Sequence, residues 1–165
     1  IHEDLQKRVS ALHTTPRGST AAEGLPERFD VAISFAGPER RYAEELASRV
    51  RAAGFSVFYD NFYPADLWGK NLYELFHEIY SKRARFCVIF VSKAYTDRDW
   101  TNHERQCAQE RMLREKGRNY ILPIRVDATE LRAILSTIGY MPIEHGIDKI
   151  ADLLIEKLRS EGGGN

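Results

Sequence analysis

The sequence predicts an α/β fold in three layers, a five-stranded parallel sheet of order 2-1-3-4-5 with helices on both faces. Short β-branched and aromatic runs alternate with stretches of helical spacing along the whole chain, the pattern of strand and crossover helix. The third run, "RFCVIFVS", is apolar nearly throughout, as a strand covered on both faces reads. Right-handed crossovers then place the helices above and below the sheet.

The first strand is "RFDVAISF", followed by a helix from Pro38 to Ala53 whose spacing runs through Tyr42, Leu46 and Val50 and stops at Gly54. "FSVFYD" is the second strand, and a loop from Asn61 to Gly69 leads into "LWGKNLYELFHEIY". There a glycine turn opens a helix to about Arg83, with Leu72, Leu75, Phe76 and Ile79 on its apolar face. After the third strand come a helix from Thr101 to Lys116, a fourth strand "NYILPIRV" and a short helical piece around Leu131 to Leu135. "IGYMPI" is a weak fifth strand, and Gly146 to Arg159 closes the fold with Ile147, Ile150, Leu154 and Leu158 on one side.

Ahead of this pattern, Ile1, Leu5, Val9 and Leu12 form the seam of a short helix or coiled-coil tail, residues 1–13. The Pro, Gly, Ser and Thr of "TTPRGSTAAEGLPE" mark residues 14–27 as a linker. The globular domain is expected at 28–160 and a disordered tail at 161–165. A first residue that is Ile rather than Met points to a fragment of a longer chain or a processed one.

At 165 residues the chain can bury about 70% of its unfolded surface in one core. Lys plus Arg and Asp plus Glu both number 24, so no net field draws it to nucleic acid or anionic lipid. No apolar run approaches the roughly 20 residues of a spanning helix, and no signal-peptide layout is present. Cys87 and Cys107 lack partners at ligand spacing, and His103 has no second ligand, so neither a metal nor a disulfide is expected. Buried thiols in a reducing, cytoplasmic compartment fit better.

In a sheet of this order ligands sit beyond the carboxyl ends of strands one and three. The loop "SFAGPER" and the loop entering the Glu74 helix border that crevice. Phe35-Ala36-Gly37 lets a ligand approach backbone, and Pro38 suits the first helical position. GxGxxG after the first strand and GxxxxGK[ST] anywhere are missing, which disfavours a redox dinucleotide site and a P-loop. Tyr59, Phe62, Tyr63 and Trp68 gather aromatics with Asp60 beside one loop, suited to stacking on a planar heterocycle or to a partner surface. Glu104 stands where a reciprocal cap could reach, and Trp100 reads as packing. Lys82, Arg83 and Arg85 close a helix whose dipole favours cations. Glu74, in a first helical turn, is favoured by that dipole alone.

"FDVAISFAG", "FSVFYDNF", "LYELFHEI", "RFCVIFVSKAY", "DWTNHE" and "ILPIRVD" occur in one order over Arg28 to Arg159. Together they resemble a TIR domain, the Toll/interleukin-1 receptor and plant resistance-protein module, a flavodoxin-like fold. "LWGKNLYE" and "WTNHERQCA" look most like prokaryotic members, which implies a bacterial protein of immunity or virulence signalling, cytoplasmic or delivered into a host cell. The resemblance implies NAD+ as substrate, with no cofactor, split at the nicotinamide–ribose bond by Glu74; Glu78, a turn further in, ranks second. It implies substrate contacts from Phe35, Ala36, Gly37, Asp60, Phe62, Trp68 and Tyr73. Asn61 to Lys70 matches the family's BB loop, which implies self-association or contact with other TIR domains through Asn61, Tyr63, Pro64, Asp66 and Gly69.

One carboxylate is chemically sufficient. Glycosidases need two because an alkoxide leaving group must be protonated. Nicotinamide in NAD+ is a cation that departs as a neutral base, so an anion need only hold ribose hydroxyls and favour the developing positive charge. Water or the substrate's own adenine can then capture the ribosyl centre, giving ADP-ribose or a cyclic isomer. Two other readings compete: a non-catalytic TIR adaptor, which has no need of Glu74, and a receiver-like or nucleoside-binding domain, for which "SFAGPER" offers only Glu39 as an acid.

Overall fold

A computed structural model describes residues 24–97, 120–130 and 138–162. The expected helices at residues 1–13, Thr101 to Lys116 and Leu131 to Leu135 lie outside the described residues, as do most of the linker, Trp100, His103, Glu104 and Cys107. The side chain of Tyr73 does too.

Five strands, β1 (Phe29–Ser34), β2 (Val57–Phe58), β3 (Ala84–Val91), β4 (Ile121–Arg125) and β5 (Met141–Pro142), form one sheet in the order 2-1-3-4-5. Every pairing is parallel, with Val31 beside Val57 and Phe86, and Val88 beside Leu122. The flavodoxin-like arrangement follows from side-chain alternation on β3. Phe86, Val88 and Phe90 enter one core cluster, while Cys87, Ile89 and Val91 enter another on the opposite face. A strand with two apolar faces must be covered twice.

Helix α1 (Arg40–Ala52) and the closing helix, which ends at Gly162, cover the first cluster. On α1 the buried stripe is Ala43, Leu46, Ala47 and Val50, all fully buried, and Tyr42 is exposed. Tyr42 therefore does not belong to the apolar seam; at helical pitch it falls roughly 90° to the side of the centre of that stripe. The closing helix runs two residues into the stretch expected as a tail.

The loop Asn61 to Gly69 is more ordered than its composition suggested. A 3₁₀ turn (Asp60–Phe62) and a short helix α2 (Pro64–Leu67) occupy it, with Pro64 at the first helical position, where its missing N–H is no loss. Leu67 is buried in the second cluster. β2 is correspondingly shorter than "FSVFYD", since Asp60 already turns. Helix α3 (Leu72–Glu78) widens into a π turn (Ile79–Arg83) in which the Ser81 hydroxyl donates to the His77 carbonyl at 2.6 Å.

Lys82 and Arg83 lie in the last turn of that helix, as expected, whereas Arg85 lies on β3; Arg83 and Arg85 have specific partners as well. Arg83 donates to the carbonyls of Leu25, Pro26 and Glu27, pinning the chain just ahead of β1. Arg85 donates to the Leu158 carbonyl at 2.7 Å and stands 3.7 Å from Asp30. Among the described residues no helix is long and apolar enough to cross a membrane.

Candidate active site

The carboxyl ends of β1 and β2 lie side by side: Ala32 pairs with Phe58, after which β1 runs on to Ser34 and the other chain segment turns at Asp60. Beyond β1 the chain makes a 3₁₀ turn, Gly37–Glu39, closed by the Glu39 amide on the Ala36 carbonyl at 3.0 Å, and α1 starts at Arg40. Ser34 is fixed by the Tyr95 hydroxyl at 2.8 Å, and the Tyr80 hydroxyl donates to the Ile33 carbonyl at 3.3 Å.

Between the two strand ends sits Arg40. Its guanidinium donates to both carboxylate oxygens of Asp60, at 3.0 and 2.8 Å, and to the Tyr59 hydroxyl at 3.0 Å. It lies 5.0 Å from the centre of the Phe35 ring and 5.7 Å from that of Tyr59. Burial works against the Arg40 charge, but the hydrogen bond and charge of Asp60 outweigh it and raise its pKa. Burial pushes the Tyr59 phenol up to about 12, against the partial relief of Arg40.

Two acceptor oxygens beside this network, Glu39 Oε2 and Asn61 Oδ1, have no hydrogen-bond donor among the described residues. Glu39 is only 5% exposed and, as the residue capping α1, makes no side-chain cap. It continues the inward stripe of α1, one turn ahead of Ala43.

The loop after Asp60 returns through Gly69, which takes φ +79°, a left-handed value that L side chains rarely adopt. Asn71 then caps α3, its Oδ1 accepting from the Glu74 amide at 3.3 Å. Glu74 is exposed in the first turn and its carboxylate forms no ion pair or hydrogen bond among the described residues. Glu78 is exposed as well, a turn deeper. Trp68, at the foot of α2, is 77% exposed.

The other expected contacts are placed variously. Phe35 and Ala36 are buried, so only backbone and the exposed Gly37 can meet a ligand there. Asp60 is 6% exposed with both oxygens committed to Arg40, which takes it out of the open crevice. Phe62 turns toward α1, its ring edge-on to Tyr59 at 5.1 Å and under the Arg51 guanidinium at 4.5 Å. Tyr63 packs on Phe58, and Asn61 Nδ2 donates to the Tyr59 hydroxyl at 3.1 Å. Pro64 opens α2, and Asp66 lies within it. Sequence reasoning missed Arg40. Its signal was available in the strand order, which sets an arginine after the first strand beside an aspartate ending the second.

No group of three or more His, Cys, Asp or Glu side chains that could hold a metal occurs among the described residues. The TIR domain family model matches residues 31–158. The chain is 48% identical over 134 residues to AaTIR, a 3′ cyclic ADP-D-ribose synthase of Aquimarina amphilecti, covering 81% of this chain and 41% of that protein's length. Two solved structures share the fold. The TIR domain of the Toll-related receptor TRR-2 of Hydra magnipapillata matches with TM-score 0.58 at 16% identity, over 79% of this chain and 98% of that one. A TIR-STING receptor of C. gigas matches with TM-score 0.59 at 14% identity, over 85% and 42%. A family match over most of the sequence, on a sheet whose strand order and parallel pairing are those described above, means that the chain belongs to the TIR domain family.

Proposed function

We propose that this domain is a bacterial NAD+-consuming enzyme that breaks the nicotinamide–ribose bond, with Glu74 as its catalytic carboxylate. The observation that supports this reading is the state of Glu74: an exposed carboxylate with no hydrogen bond or ion pair among the described residues, in the first turn of the Asn71-capped α3. The activity in the name of the 48% identical relative supports the same chemistry.

The C1′–N bond breaks with its electron pair passing to the pyridinium nitrogen, so nicotinamide leaves neutral and needs no acid. Glu74 holds ribose hydroxyls and stabilises the oxocarbenium-like centre. Capture by water yields ADP-ribose and a proton; capture by a nucleophile of the same molecule yields a cyclic ADP-ribose isomer and a proton. The relative's name favours the cyclic product. Exposed Trp68 supplies a stacking face for a planar ring, Gly37 lets substrate approach backbone, and Tyr73 flanks the carboxylate in sequence.

Assembly belongs to the same reading. The loop from Asn61 to Lys70 contacts a second TIR domain, residues 1–13 act as an oligomerising helix on the linker 14–27, and the domain at 28–160 works in the cytoplasm of a bacterium or of a host cell in immunity or virulence signalling. The 77% exposure of Trp68 equally supports an interaction-only adaptor. Incubating concentrated protein with NAD+ and following nicotinamide separates the two. Glu74→Gln should abolish release while keeping the fold, and undiminished release in that variant shifts the role to Glu78 or ends the proposal.

A further inference from the structure

We propose that the Arg40–Asp60 ion pair is a positioning clamp that fixes the segment from Asn61 to Lys70, and through it the start of α3 where Glu74 stands. The inference rests on the NAD+-cleaving reading only for what the clamp positions; the clamp itself rests on geometry.

Asp60 opens the 3₁₀ turn just beyond the end of β2, and Glu74 stands in the first turn of the next long helix, α3. Between them the path is held by Tyr63 on Phe58, by buried Leu67 and by the turn at Gly69. The loop's own bonds are short-range: Tyr63 amide to Asp60 carbonyl, Leu67 to Tyr63, Trp68 to Pro64 and Lys70 to Leu67, each at 3.1 Å. None of these ties the loop to the segment after β1; Arg40 does so through Asp60, and Arg51 further along α1 through the Phe62 ring.

The side chain fits that task and not a free substrate contact. Its terminal nitrogens are occupied by Asp60 and Tyr59, and its faces lie on two rings. Its side chain is 27% exposed and that of Asp60 7%, so water competes weakly for the pair. Asp60 also accepts from the Asn61 amide at 2.8 Å, which extends the grip one residue into the loop. A bidentate fork fixes direction as well as distance, which lysine cannot do. A displaced catalytic group about 1 Å out of place can cost a reaction about a hundredfold.

The test uses the full chain with Arg40→Lys, Arg40→Gln, Asp60→Asn and the double variant Arg40→Gln/Asp60→Asn. Nicotinamide release from NAD+ should fall about 10- to 100-fold in each single variant, chiefly in kcat, and the double variant should fall no further than the singles. Hydrogen exchange at the amides of Tyr63, Leu67, Trp68 and Lys70 should quicken while β3 stays protected. If Arg40 variants raise KM and Asp60→Asn turns over normally, Arg40 touches substrate and the clamp is wrong. A uniform rise in exchange with unchanged kcat per folded molecule reduces the pair to a stability element and overturns the proposal likewise. Should the unaltered chain release no nicotinamide, the NAD+ reading fails by itself, and the exchange comparison alone decides the clamp: unchanged loop protection in Asp60→Asn and Arg40→Lys sinks it.

Discussion

The ring of Tyr63 lies parallel to that of Phe58, with 11° between planes and 6.1 Å between centres. A residue of the loop is thereby seated on a residue of β2. Phe29, Phe76 and Tyr80 complete the surround of Phe58 at edge-on angles, so one side chain joins two strands, the loop and the helix that carries Glu74. Removing it should damage stability and site together. Phe58→Ala is expected to cost about 3–5 kcal/mol in urea unfolding, with a smaller loss for Phe58→Leu. An Ala variant within 1 kcal/mol of wild type, an order of magnitude set by the same deletions, shows the cluster to be collapsible.

The entry to α3 depends on two residues for separate reasons. Asn71→Ala removes the acceptor for the Glu74 amide and should cost about 1 kcal/mol, whereas Asn71→Asp should retain the cap and gain from the helix dipole. Gly69→Ala meets no atom within 4 Å, so its expected cost of about 1–2 kcal/mol is purely one of left-handed backbone. Gly69→Asn should be milder. Equal stability of the Ala and Gly forms contradicts this account.

Stability should decline on the alkaline side. Burial raises the Cys87 thiol from 9.0 to about 12, opposed in part by its hydrogen bond with Tyr120, and burial likewise raises Tyr59 from 10.0 to about 12. Both groups keep their protons longer in the folded state, so their contribution is complete below the unfolded values and disappears as pH climbs through the folded ones. Urea midpoints should hold up to pH 9.0 and fall steadily toward 12, with a shallower decline in Cys87→Ala. A flat profile across that window refutes the assignment. In a Cys107→Ser background, Cys87 should resist alkylation in native protein and react in urea.

Glu39, the residue ahead of α1, buries a carboxylate oxygen that has no partner among the described residues. Glu39→Met keeps the length, removes that acceptor and should raise stability by about 1–3 kcal/mol. Destabilisation by the Met variant, measured in the same unfolding experiment, indicates that a bound donor compensates the carboxylate.

Much of the architecture was readable because periodicity reports burial directly. The unbroken apolar run of "RFCVIFVS" and the spacing of Leu46 and Val50 indicate which faces are covered, and no distant information is needed. The loop helix at Pro64 was missed because four residues hold too little periodicity to register, and its stability comes from Leu67 docking in the second cluster. Tyr42 was assigned inward from its four-residue spacing to Leu46 and Val50, whereas the buried stripe is centred one residue on, through Ala43 and Ala47.

The candidate site divides the same way. Glu74, Gly69 and Trp68 were legible as types at a helix entrance, since local chain geometry sets what a first turn and a glycine turn present. Asp60 was legible as a carboxylate near the crevice but not as one already paired.

The sequence alone determined the layers and the place where the chain turns toward Glu74, because each is encoded by neighbours within a few residues; the order 2-1-3-4-5 was expected as the common one for such a sheet and is the one found. Tertiary structure alone decided that Arg40 and Asp60, 20 positions apart, close on one another. Only parallel strands paired side by side bring those two ends within reach, and the strength of a charge pair depends on the distance and burial that such pairing creates.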